Sequence, residues 1–218
     1  MGELLACFKA YDVRGVVPDE LNPEVAYDIG HAFADETGAK TVCIGHDIRL
    51  SGPDLSKSLA SGLNDSGIDV VDLGLVGTEM VYFATGNYGF DGGVMITASH
   101  NPPQYNGFKV SKRQARPVGE ATGLAEIRKH AAMVDKATLA KKQGRVEERD
   151  LWLAYAKHVR SFLDLSASSK PLKVVIDASN AMAGTMIPKV FGKASPLGAA
   201  PGLQIIELNF DNTKGVFC

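Results

Sequence analysis

Apolar side chains recur at intervals of four residues in two early segments, a spacing typical of one buried face of an α-helix. The positions are Val25, Ile29 and Phe33 in the first segment and Leu55, Leu59 and Leu63 in the second. The string NPE at residues 22–24 offers an N-cap, a proline at the first helical position and an acid near the positive helix end. Gly38 and Gly67 follow the two segments as helix terminators. The pattern predicts two amphipathic helices.

Short apolar runs alternate with these helices, as expected for buried strands. They occupy residues 41–45, 68–73 and 92–97, and further helices are predicted over residues 78–87 and 121–133. Such alternation indicates a sheet covered by helices on both faces. Residues 107–111 return as a strand after only a short loop, so one strand is expected to be antiparallel. We predict an α/β fold, with three-layer α/β/α domains around a mixed, mostly parallel sheet.

Composition divides the chain into a larger and a smaller part. Residues 1–134 are expected to form a first domain, and residues 135–150, rich in Lys, Glu and Gln, a solvated connector. Beyond it the pattern predicts these segments: a helix over 151–163, a small polar linker over 166–171, a strand over 172–177, a loop and helix over 178–191 and a strand over 203–208. Two strands with one or two helices are too few to enclose an independent core. We therefore expect residues 151–218 to be an incomplete second domain of the same kind, and the chain to be a portion of a longer protein.

Charge and cysteine content exclude several classes of partner. The 23 basic and 25 acidic residues give a formal net charge of −2, which provides no electrostatic attraction for nucleic acid or for an anionic membrane surface. The longest apolar runs are strand-sized, and residues 1–7 lack the features of a signal peptide. Cys7, Cys43 and Cys218 lack the spacing of a zinc site or a disulfide framework. We expect a cytoplasmic protein that uses neither nucleic acid nor a membrane.

The string TASHNPP at residues 97–103 carries the strongest chemical signal. It follows a predicted strand, and its two prolines oppose a helix, so the Ser99 hydroxyl is expected to point towards solvent. A serine hydroxyl is a weak nucleophile at neutral pH and needs a base or a cation nearby. His100 and Lys109 lie within reach in sequence. A plain turn with a solvated serine and histidine would also fit this one string.

Two further strings extend the signal along the chain. FKAYDVRG at residues 8–15 and GHDIRLSGP at residues 45–53 precede TASHNPPQYNGFK at residues 97–109. Together they resemble the substrate-facing segments and the phosphoserine loop of the α-D-phosphohexomutases. Within that superfamily the chain is most similar to the phosphomannomutase/phosphoglucomutase branch, and the similarity continues to about Pro188. Three motifs in this order and at these separations are far more specific than any one of them.

The resemblance implies roles for five side chains. Ser99 would carry a phosphate, donate it to a hydroxyl of a phosphosugar and recover another from the resulting bisphosphate. Lys109 would move a proton or contact phosphate, and Arg14 would bind phosphate oxygens with both arms of its guanidinium. Tyr11 would contact the substrate. His100 belongs to the catalytic set, with an orienting role favoured over proton delivery.

Simpler explanations exist for three of these side chains. Lys109 could be a solvated lysine at a strand end, Arg14 the partner of Asp12 in a surface ion pair, and Tyr11 a half-buried core residue. In the second string, residues 47 and 49 are an aspartate and an arginine, which we expect to form a bracing pair beneath the cleft.

The resemblance also implies Mg²⁺, with the phosphate on Ser99 as one ligand, and a hexose 1,6-bisphosphate as activator. The magnesium string of the family, DGDGDR, does not occur in these 218 residues, so the other metal ligands are missing. The family's sugar-recognition loop and C-terminal phosphate-binding loop are missing as well. We therefore expect the 218-residue chain alone to be inactive.

The implied activity interconverts hexose 6-phosphate and hexose 1-phosphate, of mannose or glucose, through phospho-Ser99 and a 1,6-bisphosphate. The residues leave the choice of sugar and the oligomeric state open. One alternative is a phosphoglucosamine mutase, although the first motif of that branch is typically closer to FGTDGIRG than to the FKAYDVRG of this chain. Another is a non-catalytic fragment that at most binds a phosphosugar.

Overall fold

The structure, a computed structural model, describes residues 6–136, 140–165 and 170–217. The chain forms two compact units, Met1–Arg149 and Asp150–Cys218. In the described part of the chain, no helix combines the length and the apolar character that a membrane span requires.

The first unit is built on one sheet with helices packed against it. Among its described residues seven strands belong to this sheet: β1 (Val13–Val16), β2 (Thr41–His46), β3 (Asp69–Leu75), β4 (Gly92–Ile96), β5 (Tyr105–Lys112), β6 (Arg116–Pro117) and β7 (Val146–Glu148). The helices are α1 (Pro23–Thr37), α2 (Gly52–Asp65), α3 (Thr78–Asn87) and α4 (Leu124–Ala131). The predicted alternation of helices and strands is confirmed.

The sheet is mixed, with the strand order β1-β5-β4-β2-β3-β7 and β6 beside β5. Strand β2 runs parallel to β3 and β4, and β3 runs parallel to β7. Strand β5 is antiparallel to both β4 and β1, which confirms the predicted antiparallel strand. The loop between β4 and β5 contains Ser99, so the pairing of these two strands fixes both ends of that loop.

Helices cover both faces of this sheet. One face packs against α1, α2 and α4 in a continuous core, in which the buried side chains include Ile29, Phe33, Val42, Ile44, Leu59, Leu63, Val94, Ile96 and Ile127. Cys43 points to the other face, because side chains alternate along a strand. There its Sγ lies 3.2 Å from Thr85 Oγ1 of α3 and 3.8 Å from the Val81 carbonyl oxygen. The three-layer α/β/α arrangement follows from these two interfaces.

Helices α1 and α2 approach each other closely at glycine positions. A Cβ atom added to Gly62 would lie 2.1 Å from the Tyr27 carbonyl oxygen, which is part of the α1 backbone and cannot rotate away. We predict that Gly62→Ala lowers the free energy of unfolding by about 1–3 kcal/mol, because overpacking outweighs the higher helix propensity of alanine. Chemical denaturation measures this. Gly86→Ala in α3 is the control, since nothing lies within 4 Å of its added Cβ, and equal effects of the two substitutions would contradict the prediction.

The second unit is smaller and its strands are less covered. It contains α5 (Trp152–Arg160), β8 (Leu172–Asp177), α6 (Ala183–Val190) and β9 (Leu203–Leu208). Strands β8 and β9 pair in parallel. Apolar side chains on both strands are exposed, among them Val175 at 60% and Leu208 at 47%. Helix α5 is shorter than the predicted helix over residues 151–163.

Part of the segment that we expected to be a solvated connector, residues 135–150, is a strand. Residues 146–148 form β7, and its flanks are fixed by backbone hydrogen bonds from Val70 N–H to Arg145 O at 2.7 Å and from Arg149 N–H to Asp72 O at 2.9 Å. The β7 sequence, VEE, lacks the polar-apolar alternation that marks a half-buried strand, and all three of its side chains are exposed. This strand was therefore not predicted. Residues 137–139 of this segment, and residues 166–169 of the second predicted linker, lie outside the described residues.

Candidate active site

Ser99 lies on a tight turn directly after β4, with its side chain exposed. The N–H of Asn101 donates to the carbonyl oxygen of Ala98 at 3.1 Å and closes the turn. Ser99 has a φ of 55°, in the left-handed region that residues other than glycine rarely adopt. Such a conformation costs on the order of 1–3 kcal/mol and persists only where surrounding contacts hold it.

The first of these contacts runs through Thr97 to Asp47. These residues follow β4 and β2, which are adjacent parallel strands, so both lie at the carboxyl edge of the sheet. The Ser99 N–H donates to Thr97 Oγ1 at 2.9 Å, and that hydroxyl donates in turn to Asp47 Oδ2 at 2.6 Å. Thr97 and Asp47 are both 5% exposed. Burial strengthens such hydrogen bonds, because water does not compete for the polar atoms.

The second contact is the guanidinium of Arg49, which is 2% exposed. Its Nη1 donates to the carbonyl oxygens of Pro102 and Tyr105, both at 2.8 Å. Its Nη2 donates to the carbonyl oxygens of Ser99 at 2.9 Å and Asn101 at 2.6 Å. One buried side chain therefore binds four carbonyl groups of the loop that carries Ser99.

Asp47 also compensates the charge of Arg49. Its Oδ2 lies 3.5 Å from Arg49 Nε, and its Oδ1 accepts the Arg49 backbone N–H at 3.0 Å. Burial lowers the pKa of Arg49, and the nearby Asp47 carboxylate partly opposes that shift. The expected bracing pair of Asp47 and Arg49 is present in the structure.

Arg14 connects β1 to the same loop. Its Nη1 donates to Asn101 Oδ1 at 2.6 Å, and its Nη2 donates to Asp12 Oδ2 at the same distance. The ion pair with Asp12, considered above as a simpler explanation, therefore coexists with a contact to the loop. The Arg14 side chain remains 20% exposed, although its Nε atom is buried.

Lys109 and Arg14 lie on the same face of the sheet. Arg14 is paired with Gly107, and Lys109 stands two residues further along β5, opposite Met95. Residues two apart on a strand point to the same face, and diagonal neighbours of this kind are about 7–8 Å apart. Lys109 is half-buried. The sheet register thus places two cationic side chains beside each other.

The other two predicted site residues are exposed. The His100 ring lies next to the Ser99 side chain, with Nδ1 3.4 Å from Ser99 Oγ, near the upper limit for a hydrogen bond. Tyr11 precedes β1, and its side chain is 85% exposed, which excludes the explanation as a half-buried core residue.

A complete magnesium site is not formed by the described residues. Among them no three His, Cys, Asp or Glu side chains converge on one point. Asp47 is joined to Ser99 through Thr97, but its oxygens already bind Thr97 and Arg49. Because Mg²⁺ requires several oxygen ligands, the phosphate on Ser99 would be one ligand of a site that these residues do not complete.

Sequence reasoning missed Thr97 and Asn101 as parts of this site. Both belong to the string TASHNPP, which drew attention only to Ser99 and His100. The available signal for Thr97 was its place directly after β4, next to Asp47 directly after β2, at the edge where polar residues of neighbouring parallel strands meet.

Known proteins resemble this chain along most of its length. A family model described as phosphoglucomutase/phosphomannomutase, alpha/beta/alpha domain I, matches residues 6–138. A phosphomannomutase of Escherichia coli strain K12 is 41% identical over 196 residues, which cover 89% of this chain and 43% of the relative. A protein of Xanthomonas campestris pv. campestris strain B100 named phosphohexose mutases is 46% identical over 183 residues, which cover 84% of this chain and 40% of the relative.

A solved structure agrees with these matches. The crystal structure of a phosphoglucomutase/phosphomannomutase family protein from Burkholderia thailandensis superimposes with a TM-score of 0.81 at 35% identity, covering 98% of this chain and 46% of the other. The chain thus spans less than half the length of these relatives. On the match to the family model, the chain belongs to the phosphoglucomutase/phosphomannomutase family of the α-D-phosphohexomutase superfamily.

Proposed function

We propose that this chain carries the phosphoserine part of a cytoplasmic phosphohexomutase that interconverts hexose 6-phosphate and hexose 1-phosphate, of mannose, glucose or both. The observation that carries the proposal is the exposed Ser99 hydroxyl, held in a left-handed turn by Thr97 and Arg49. Two relatives named phosphomannomutase and phosphohexose mutases support the class of reaction.

The proposed reaction has two phosphoryl transfers. In the first, a hydroxyl oxygen of the hexose monophosphate attacks the phosphorus of phospho-Ser99, the bond from phosphorus to Ser99 Oγ breaks, and a hexose 1,6-bisphosphate forms. The sugar hydroxyl loses a proton, and Ser99 Oγ gains one. In the second, Ser99 Oγ loses its proton and attacks the phosphorus of the other phosphate of the bisphosphate, the bond from that phosphorus to the sugar oxygen breaks, and the sugar oxygen gains a proton. The isomeric monophosphate leaves, and the phosphoserine is restored.

Such transfers depend on positioning and on stabilising negative charge more than on covalent chemistry by the protein. Arg14 and Lys109, adjacent on one face of the sheet, supply positive charge in this proposal, and Lys109 also moves the proton of the attacking hydroxyl. His100 orients the loop through a hydrogen bond of its ring, whose Nδ1 lies 3.4 Å from Ser99 Oγ. Tyr11 is exposed and accessible for contact with the sugar.

Mg²⁺ and a hexose 1,6-bisphosphate activator remain part of the proposal through the family resemblance. The ion would stabilise the charge of the transferred phosphoryl group when bound. The described residues supply one ligand to it, the phosphate on Ser99, so this chain alone is expected to have essentially no mutase activity.

The test is turnover by the full-length protein that contains this chain, with Mg²⁺ and a trace of glucose 1,6-bisphosphate. Mannose 1-phosphate, glucose 1-phosphate and glucosamine 1-phosphate are offered separately, and formation of the 6-phosphates is followed. Conversion of mannose or glucose 1-phosphate supports the proposal. Conversion confined to the amino sugar would favour a phosphoglucosamine mutase, and no conversion at all would favour a non-catalytic phosphosugar-binding protein.

A further inference from the structure

Two sets of hydrogen bonds hold the backbone of Ser99, one on its N–H and one on its carbonyl oxygen. Thr97 Oγ1 accepts from the N–H, and Arg49 Nη2 donates to the carbonyl oxygen. We propose that Thr97 and Arg49, both anchored on Asp47, are positioning residues that fix Ser99 in the left-handed conformation from which it carries phosphate. This inference rests on the proposed function, and it adds residues that touch neither the substrate nor the phosphate.

The Thr97 anchor depends on one hydroxyl that acts in two directions. It accepts the Ser99 N–H at 2.9 Å and donates to Asp47 Oδ2 at 2.6 Å. A hydroxyl both donates and accepts, whereas the valine of equal shape does neither. Replacing it by valine leaves Asp47 Oδ2 and the Ser99 N–H without this partner, and it removes a restraint on an unfavourable φ.

The Arg49 anchor depends on the planar shape of the guanidinium. Two nitrogens bind four carbonyl oxygens between Ser99 and Tyr105, an arrangement that a lysine ammonium, with a single nitrogen, cannot reproduce. A buried cation thereby binds these carbonyl oxygens and offsets part of their negative potential near a phosphate on the exposed Ser99 side chain. The loop thus offers less negative potential to that phosphate.

Four variants of the full-length protein test the proposal. Thr97→Val removes the hydroxyl and keeps the shape of the side chain, whereas Thr97→Ser keeps the hydroxyl. Arg49→Lys keeps the positive charge but loses the planar guanidinium. Thr85→Val is the matched control, because Thr85 is another buried threonine of the same unit, whose hydroxyl donates to Val81 O within α3 and lies 3.2 Å from Cys43 Sγ. Two properties are measured: the steady-state kcat and KM, and amide hydrogen exchange of peptides covering residues 97–105.

We expect Thr97→Val and Arg49→Lys to lower kcat by about 10–100-fold, since a small misplacement of a reacting group has effects of this size. The KM is expected to stay within about threefold, because neither residue binds the substrate. In the same two variants, the amide hydrogens of residues 97–105 should exchange at least about tenfold faster than in the wild type. Thr97→Ser should restore most of the kcat and the protection, and Thr85→Val should change neither.

The two readouts separate this inference from the proposed function. If the wild-type protein turns over no phosphosugar, the proposed function fails, while amide exchange still reports whether Thr97 and Arg49 hold the loop. Unchanged exchange and kcat in Thr97→Val would overturn the inference, as would a kcat loss in Thr85→Val of the same size. If Thr97→Val does not fold, Arg49→Lys and Thr97→Ser decide by the same two measurements.

Discussion

Ser99→Ala is expected to abolish both phosphate incorporation and mutase turnover. In the proposed reaction every phosphoryl group passes through Ser99 Oγ, and alanine at this position has no atom that could carry one. The full-length protein is incubated with glucose 1,6-bisphosphate, digested, and its phosphopeptide mapped by mass spectrometry. Phosphate is expected on the peptide that contains Ser99 in the wild type and on no peptide of the variant.

A second serine of the chain provides a close control. Ser179 also follows a strand, is exposed and has a positive φ, at 48°. Ser179→Ala therefore imposes a similar backbone cost without touching the TASHNPP loop, and it should leave phosphate incorporation unchanged. Phosphate on a residue other than Ser99, or normal turnover by Ser99→Ala, would refute the assignment.

The local signals in the sequence were sufficient for most of the first unit. The predicted N-cap is observed, since Asn22 Oδ1 accepts the Val25 N–H at 3.0 Å, and Gly38 ends α1 with a φ of 58°. Such features depend on neighbouring residues only, and they are therefore visible as short strings. The predicted helix over residues 121–133 was too long, because Gly123, at a φ of 131°, separates a 3₁₀ turn from α4.

The candidate site was predictable only in its residue types. Sequence reasoning paired Asp47 with Arg49, but it did not show that Arg49 binds four carbonyl groups that lie 50 to 56 positions away along the chain. Every residue has a carbonyl group, so this contact leaves no mark in the sequence. The proximity of Arg14 and Lys109 likewise depends on the β1–β5 register, which only the folded sheet defines.

Lys109→Ala is expected to lower kcat far more than it raises KM. A positioned group that moves a proton in the transition state contributes about 10²–10⁴-fold, so a kcat loss in this range is expected for the full-length protein. The matched control is Lys112→Ala on the same strand, because Lys112 lies near Glu36, at 3.5 Å, instead of beside Arg14. Steady-state kinetics with glucose 1-phosphate measures both variants.

Lys109→Arg separates the two roles that the family resemblance leaves open for this lysine. An arginine keeps the positive charge, but it remains protonated under all ordinary conditions and cannot give up a proton. If Lys109 moves the proton, Lys109→Arg should lose as much kcat as Lys109→Ala. If Lys109 instead anchors phosphate, Lys109→Arg should recover much of the activity, and Lys109→Ala should act mainly on KM. The second result would leave the proton transfer to another group and would make Lys109, like Arg14 beside it, a source of positive charge for the phosphate on Ser99.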